Sequence, residues 1–333
     1  MGLQPFSPLL LLLLLPLQVY PQRLPIIDMH LHASERTISW AICVPWLTQV
    51  PERDPNRTWE DAWKFVVTNP PCSNPIQPAK DEQALMKETI AVLDRRNIIG
   101  VLSVSPKQVS RWIQAAPRRF IPSLEFQLEP DRMSPDSMRE LFKSGSFGIL
   151  GEVTNQYLGI APDDERMEPY WALAEELDIP VAIHMGEGLP GATFLAAPKY
   201  RARLTSPYLL EEVLIRHPRL RVCVMHYGSP LVDEMIAMLG AYPQLYVELG
   251  GIQWFYPREY FYEQLRKFID AGFGKRVMFG SDQGNWPGII EPAIAVIEDA
   301  PFLSQKQKRD IFYNNAARFL RLSREEIAKH HRM

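Results

Sequence analysis

Apolar residues in this chain fall into eight short, near-continuous runs, separated by stretches with helical spacing. The runs begin at Ile26 (IIDMHLH), Ile98 (IIGVLSV), Phe120 (FIPSLEF), Phe147 (FGILGEV), Ile179 (IPVAIHM), Leu220 (LRVCVMH), Leu245 (LYVELGG) and Val277 (VMFGSD). Four to eight apolar residues in a row, without strict alternation, are expected of parallel strands covered on both faces. Between the runs, residues 81–95 place Leu85, Ile90 and Leu93 on one side of a helical period. Residues 168–177, 208–216 and 259–271 form further helical segments leading into the fifth, sixth and eighth runs, and 304–320 closes the chain. Strand alternating with helix eight times predicts an α/β fold, the (β/α)8 TIM barrel. A doubly wound open sheet is the structural alternative, but no GxGxxG turn follows the first run.

Two segments stand outside this repeat. Residues 33–80 are rich in Pro and carry Trp40, Trp46, Trp59 and Trp63. They are expected to form a long insertion after strand 1, on the face where barrels build their active sites. It reads either as a lid or binding loop, or as a helical insertion whose tryptophans pack together. At the N-terminus, Leu9 to Leu15 followed by Pro16 and Leu17 is too short to span a bilayer, which takes about 20 residues. It has the length of a signal-peptide apolar region, about 7–15 residues. Residues 1–22 are therefore expected to be a signal peptide or apolar leader, and 23–333 one barrel domain. That implies export, to the periplasm or beyond. Against it, no Lys or Arg precedes the run and no small-x-small cleavage site follows, and the chain is cytoplasmic if the leader does not work.

Composition narrows the function. The chain of 333 residues is 46% apolar and 23% charged, with a net charge of −3 and no concentrated run of Lys or Arg. Nucleic-acid binders and polybasic membrane proteins usually carry such a run. A small-molecule substrate is expected instead, with no stable membrane insertion; a homodimer is compatible with the sequence. Of three cysteines, Cys223 lies in an apolar run and reads as a buried core thiol, while Cys43 and Cys72 can pair if the protein is exported.

Seven histidines occur. His330 and His331 lie in a charged tail, and His217, before Pro218 at a helix end, reads as a surface residue. The other four, His30, His32, His184 and His226, all fall where an apolar run ends, and Asp282 takes the matching place after the eighth. Residues i and i+2 of a strand point the same way, so His30 and His32 project two imidazoles together. Imidazole and carboxylate suit Zn²⁺, with Mn²⁺, Fe²⁺ or Co²⁺ as alternatives. An HxH alone is weak; joined to the other strand-end ligands it becomes a metal-site pattern.

With those residues in place, the sequence resembles the amidohydrolase superfamily, in the amidohydrolase-related branch that also holds aminocarboxymuconate semialdehyde decarboxylase. The resemblance runs from about residue 26 to 322. It rests on DMHLH, the histidines of AIHMG and VMHYG, the strand-eight GSD, and the closing segment YNNAARFL. It implies that His30, His32, His184 and Asp282 are metal ligands. His226 is then either a ligand of a second metal or the group that polarises the substrate. Many binuclear members bridge two metals from strand 4 with a carboxylated lysine or a glutamate. This chain has no lysine there but offers Glu152, as a bridging ligand, a partner orienting other ligands, or a structural carboxylate. One or two ions are compatible with that set.

The expected reaction is hydrolysis of an amide, lactone or other ester. A divalent cation lowers the pKa of bound water from 15.7 to about 7, Asp282 takes its proton, and His226 steadies charge on the carbonyl oxygen. The alternative is a metal-dependent decarboxylase or hydratase of an aromatic or unsaturated acid. Such an enzyme needs a cationic clamp, for which Arg201 and Arg203 are candidates unless, with Lys199, they form a solvated basic segment. A non-catalytic metal-binding barrel is a third reading, although no expected ligand is missing. Trp254, Trp286 and Tyr227 point to an apolar or aromatic substrate.

Overall fold

Each apolar run becomes a strand in the computed structural model, which describes residues 23–35, 38–46, 54–129, 133–188 and 190–333. The expected leader at 1–22 lies outside the described residues. The strands are β1 (Ile26–His32), β2 (Ile98–Val104), β3 (Phe120–Phe126), β4 (Ile149–Val153), β5 (Val181–His184), β6 (Val222–Met225), β7 (Leu245–Glu248) and β8 (Val277–Met278). They form one parallel sheet in sequence order, β1 through β8. Beyond β8 the chain returns to β1: the Met29 N–H donates to the Phe279 carbonyl, and the Asp282 N–H to the His30 carbonyl, both at 2.9 Å. Sequential order with this return makes a barrel and excludes the doubly wound sheet, whose strand order reverses at a switch point.

Alternation along the strands divides the core. Ile98 and Leu102 belong to the large apolar layer beneath the helices. Ile99 and Val101 join a smaller cluster with Ile27, Met29, Ile149, Cys223 and Met278, against which Ala316 and Phe319 pack. Cys223 is thus a buried core thiol. In β1 the pairing with β2 shifts register between Asp28 and Leu31. Across that irregularity the inward series passes from Ile27 and Met29 to His30 and His32.

Helices α1 (Trp59–Thr68), α2 (Glu82–Arg96), α3 (Val109–Ala115), α4 (Pro135–Lys143), α5 (Glu168–Glu176), α6 (Glu211–Arg216) and α7 (Val232–Ala241) connect the strands. They are followed by α8 (Ile252–Phe255), α9 (Arg258–Asp270), α10 (Ile290–Glu298), α11 (Gln305–Arg309), α12 (Asn315–Phe319) and α13 (Arg324–His330). Asp81 caps α2 by accepting from the Ala84 N–H at 2.8 Å, which is why the helix starts where the sequence pattern places it. The closing segment differs from the single helix expected over 304–320. A π turn at Asp310–Asn314 interrupts it between α11 and α12, and there the Ile311 carbonyl accepts the Phe279 N–H at 3.0 Å. None of the helices is long and apolar enough to cross a membrane among the described residues.

Between β1 and α2, the described residues contain α1, an isolated bridge joining Ile42 to Ile76, and a disulfide between Cys43 and Cys72 with Cα atoms 5.9 Å apart. His217 is buried, contrary to its reading as a surface residue. Its ring is held between Glu168 (2.9 Å) and Glu175 (3.3 Å) of α5, and two carboxylate partners make that burial tolerable.

Candidate metal centre

The C-terminal ends of the strands converge on one group of side chains. His30 and His32 come from β1, Glu152 from β4, His184 from the last position of β5 and Glu248 from the last position of β7. His226 directly follows β6, and Asp282 lies just beyond β8. The latter two sit in the left-handed backbone region, with φ of 57° and 52°. Non-glycine residues rarely adopt it, and where they do the surrounding structure must hold them there. At Asp282 part of that hold is visible, in its N–H bond to the His30 carbonyl.

The polar atoms form two adjoining groups that meet at Glu152. On one side, His32 Nε2 is 3.0 Å from both His30 Nε2 and Asp282 Oδ1. Glu152 Oε2 is 3.5 Å from His30 Nε2 and 3.6 Å from His32 Nε2. On the other side, Glu152 Oε1 is 2.8 Å from His184 Nδ1 and 3.5 Å from His226 Nε2, while those two nitrogens are 2.9 Å apart. Donor atoms of His30, His32 and Glu152 lie within 4.8 Å of one another, as do those of Glu152, His184 and His226, and those of His30, His226 and Asp282. Glu152 thus joins the two groups, with one oxygen in each.

The hydrogen bonds behind the rings decide whether these donors suit a cation. His30 Nδ1 faces Glu248 Oε2 at 3.2 Å, and a carboxylate only accepts, so the proton belongs on Nδ1 and the lone pair on Nε2. His226 Nδ1 faces the Gly250 carbonyl at 2.8 Å, which fixes the same tautomer. Both Nε2 lone pairs therefore point inward, each within 3.0 Å of another imidazole nitrogen. His184 Nε2 is buried without a hydrogen-bond partner. Histidine backed by carboxylate or carbonyl, with its other nitrogen turned inward, is the usual support of a metal ligand. The residues fit a divalent ion.

Electrostatics point the same way. Burial by itself lowers an imidazole pKa, yet Asp282, Glu152 and Glu248 hold His30 well above its ordinary value. His226 is raised against burial by Glu152 and Asp282, whereas burial and the neighbouring His226 lower His184. Burial would raise Glu152 and Asp282, but the surrounding histidines hold both below the ordinary carboxylate range. Buried carboxylates of this number call for a cation, whether a proton on His30 or a metal.

Above the centre lies a cavity of about 250 Å³, lined by His32, Glu152, His184, His226 and Asp282 and walled by Trp46, Trp254, Phe255 and Trp286. Trp254 and Trp286 thus lie where an apolar substrate would meet them. Their indole N–H groups are bound to the Ser281 and Trp40 carbonyls, leaving the rings as wall. Trp46, from the segment after β1, stacks on Trp254 with ring centroids 5.9 Å apart. Tyr227 and Arg201 are placed elsewhere. The Tyr227 ring packs on Phe268 and its hydroxyl donates to Gln264. Arg201 is exposed, its guanidinium turned onto the carbonyls of Pro198 and Tyr200. Neither lines the cavity.

Three acidic residues here are not among the candidates that the sequence pattern marks. Glu248 is fully buried behind His30. It also accepts from the N–H groups of His226 (3.4 Å) and Gly250. A Cβ at Gly250 or Gly280 would collide with its carboxylate, so both positions require glycine. Asp28 accepts from the N–H groups of His30 (3.0 Å) and Ser281 (2.9 Å), and burial pushes its carboxyl up to about 7. Glu187, three residues after His184, lines the cavity. A signal for the first existed: Glu248 ends the seventh run just as the histidines end theirs.

The comparisons with known proteins bear on the fold and the family. No curated protein matches the sequence. Among solved structures, an uncharacterised TIM-barrel protein from Bordetella bronchiseptica superposes with a TM-score of 0.60 at 20% identity, covering 92% of this chain and all of that one. A probable 2-pyrone-4,6-dicarboxylic acid hydrolase from Acinetobacter baumannii gives 0.55 at 16% identity, covering 89% and 99%. A dihydroxybenzoic acid decarboxylase from Polaromonas, solved with manganese and 2-nitroresorcinol, gives 0.52 at 14% identity, covering 92% and 99%. These are likenesses of fold, and they include both a hydrolase and a decarboxylase. The family model described as amidohydrolase matches residues 27–322, nearly the whole barrel, and the chain belongs to the amidohydrolase family.

Proposed function

We propose that this amidohydrolase-family enzyme is a metal-dependent hydrolase of small amides, lactones or other esters. His30, His32 and Asp282 would hold one divalent ion, His184 and His226 would be available to a second, and Glu152 adjoins both groups. Zn²⁺ is favoured by the imidazole-rich set, with Mn²⁺, Fe²⁺ or Co²⁺ able to replace it. Such an ion, when bound, polarises a carbonyl and lowers the pKa of water.

The chain's own groups supply the rest. Asp282 Oδ1, facing the imidazoles at the cavity floor, takes the proton of the attacking water and returns it to the leaving group. His226, its Nδ1–H committed to Gly250, keeps Nε2 turned toward the centre. The tryptophan wall excludes bulk water and binds the apolar part of the substrate. The products are a carboxylic acid and the released alcohol or amine.

The observation that carries hydrolysis over decarboxylation is the charge of the cavity. Its lining offers the carboxylates of Glu152, Glu187 and Asp282 and, among the described residues, no Arg or Lys. Arg201, a candidate clamp for a substrate acid, is turned to solvent. With no Arg or Lys in the lining, the carboxylate of an aromatic or unsaturated acid would have only the metal to meet it, and Glu187 beside it would oppose it. The test is turnover in H₂¹⁸O on panels of neutral esters, lactones and amides and of aromatic acids. Hydrolysis places ¹⁸O in the product carboxylate; release of CO₂ from an acid without such hydrolysis would make the enzyme a lyase. We further propose export of the chain, supported by the Cys43–Cys72 disulfide, since such bonds persist in oxidising compartments.

A further inference from the structure

One carboxylate in the cavity has no part in the centre beneath it. Glu187, on the turn after β5, is held from one side only: its Oε1 accepts from the Tyr256 hydroxyl at 2.6 Å and from Ser229 Oγ at 3.1 Å. Its Oε2 is buried with no hydrogen-bond partner. Glu187 is absent from the groups of residues whose donor atoms cluster around Glu152. Two hydroxyls fix the carboxylate through one oxygen, and Glu187 lines the cavity together with Trp46, Trp254 and Trp286. An unmet buried acceptor of this kind is costly to keep. A carboxylate combined with the π faces of Trp46, Trp254 and Trp286 is the combination that recognises an organic cation.

We propose that Glu187 is a specificity site for a cationic group of the substrate, an ammonium or amidinium, carried within a few bonds of the scissile amide or ester. This refines the proposed hydrolase by naming its substrate class, and rests on that reading for the bond that is broken. The size of the cavity limits the substrate: about 250 Å³ lies below the ~300–1,000 Å³ of sites for drug-sized ligands. The cation would pair with the Glu187 carboxylate while the tryptophans cover its alkyl or aryl portion. Glu187 then attracts this class of substrate and opposes an acid group placed beside it.

The test separates binding from turnover. Benzylammonium and benzyl alcohol, matched in shape and differing in charge, are titrated into the metal-loaded enzyme and followed by tryptophan fluorescence and calorimetry. A hydrogen bond to a charged group predicts that benzylammonium binds about 10–100-fold more tightly. Glu187→Gln should remove that preference, whereas Glu187→Asp, which keeps the charge, and Tyr256→Phe, which leaves Ser229 on Oε1, should retain most of it. Equal binding of the two probes to the wild-type enzyme overturns the proposal even if Glu187→Gln fails to fold. So does an undiminished preference in folded Glu187→Gln. A clear preference without ¹⁸O incorporation on any panel would instead leave the cation site standing and remove the hydrolase reading.

Discussion

Replacing Glu248 with glutamine tests whether the centre depends on the carboxylate behind His30. The two oxygens do different jobs: Oε1 accepts the Gly250 N–H, while Oε2 faces His30 Nδ1 at 3.2 Å and the His226 N–H at 3.4 Å. Glutamine has one oxygen for both jobs, and its NH₂ must point at a donor on one side. If the NH₂ faces Gly250, a fully buried N–H loses its acceptor, at a cost of about 1–3 kcal/mol. For a domain of this size that is roughly 2–12 °C in melting temperature, at about 2–4 °C per kcal/mol. If the NH₂ faces His30, the ring must take the other tautomer, and the proton on Nε2 occupies the lone pair a metal needs. Loss of such support typically weakens metal binding by about 10–100-fold. Melting curves of metal-free and metal-loaded protein, with competition against a chromophoric chelator, distinguish the two outcomes. A Glu248→Gln variant with wild-type stability and wild-type metal affinity would refute the assigned tautomer of His30 and the positioning role of Glu248.

Further outcomes follow from the same geometry. His30→Ala or His32→Ala should abolish activity and lower metal content by elemental analysis; full occupancy with normal turnover in either variant removes that histidine from the centre. Asp282→Asn keeps shape but cannot accept a proton, so kcat should fall by about 10²–10⁴ with folding and metal content preserved. If it melts early yet keeps near-normal kcat per folded molecule, Asp282 serves only its turn. Replacing Cys43 and Cys72 together with serine opens a loop with a sequence separation of 29 residues, which the chain-entropy relation values at about 3–4 kcal/mol. Because Cys43 lies close to Trp46 in sequence, KM should rise more than kcat falls; an unchanged KM would free the Trp46 wall from any role in binding. N-terminal sequencing of exported protein should place the mature start shortly before Ile26, and a cytoplasmic form retaining Leu9 to Leu17 would contradict export.

What could be read from the sequence follows from what strands do to side chains. A parallel barrel strand is apolar over its whole length except where it ends at the active face, so a histidine or aspartate at the end of a run announces itself. His30, His32, His184, His226 and Asp282 were legible for that reason, and the eight runs located the strands. Glu248 obeyed the same rule yet drew no notice, because a glutamate before two glycines also reads as the polar start of a turn. Its partner is His30, 218 positions away. The π turn at 310–314 was hidden because its reason, the Phe279 N–H, lies on another element. Arg201 shows the opposite failure: position after a strand says which loop a residue belongs to, not which way it points. In a short irregular stretch a guanidinium turns to the nearest carbonyls and solvent, where it keeps its hydration.

The centre's charge ties the residues that were legible to those that were not. Four imidazoles gathered at one barrel mouth do not by themselves demand a metal, since neutral histidines can pair donor to acceptor around a ring. The choice is made by groups outside that ring. Glu248 and the Gly250 carbonyl take the outer protons of His30 and His226, and Glu152 and Asp282 bring negative charge to the inner side. Once the outer protons are fixed, the His30 and His226 lone pairs turn inward beside two buried carboxylates, an arrangement that suits an added cation. A motif search finds the donors; only the acceptors behind them show which nitrogens of His30 and His226 are turned inward. The same logic carries outward to Glu187, where two hydroxyls occupy one oxygen and leave the other without a partner.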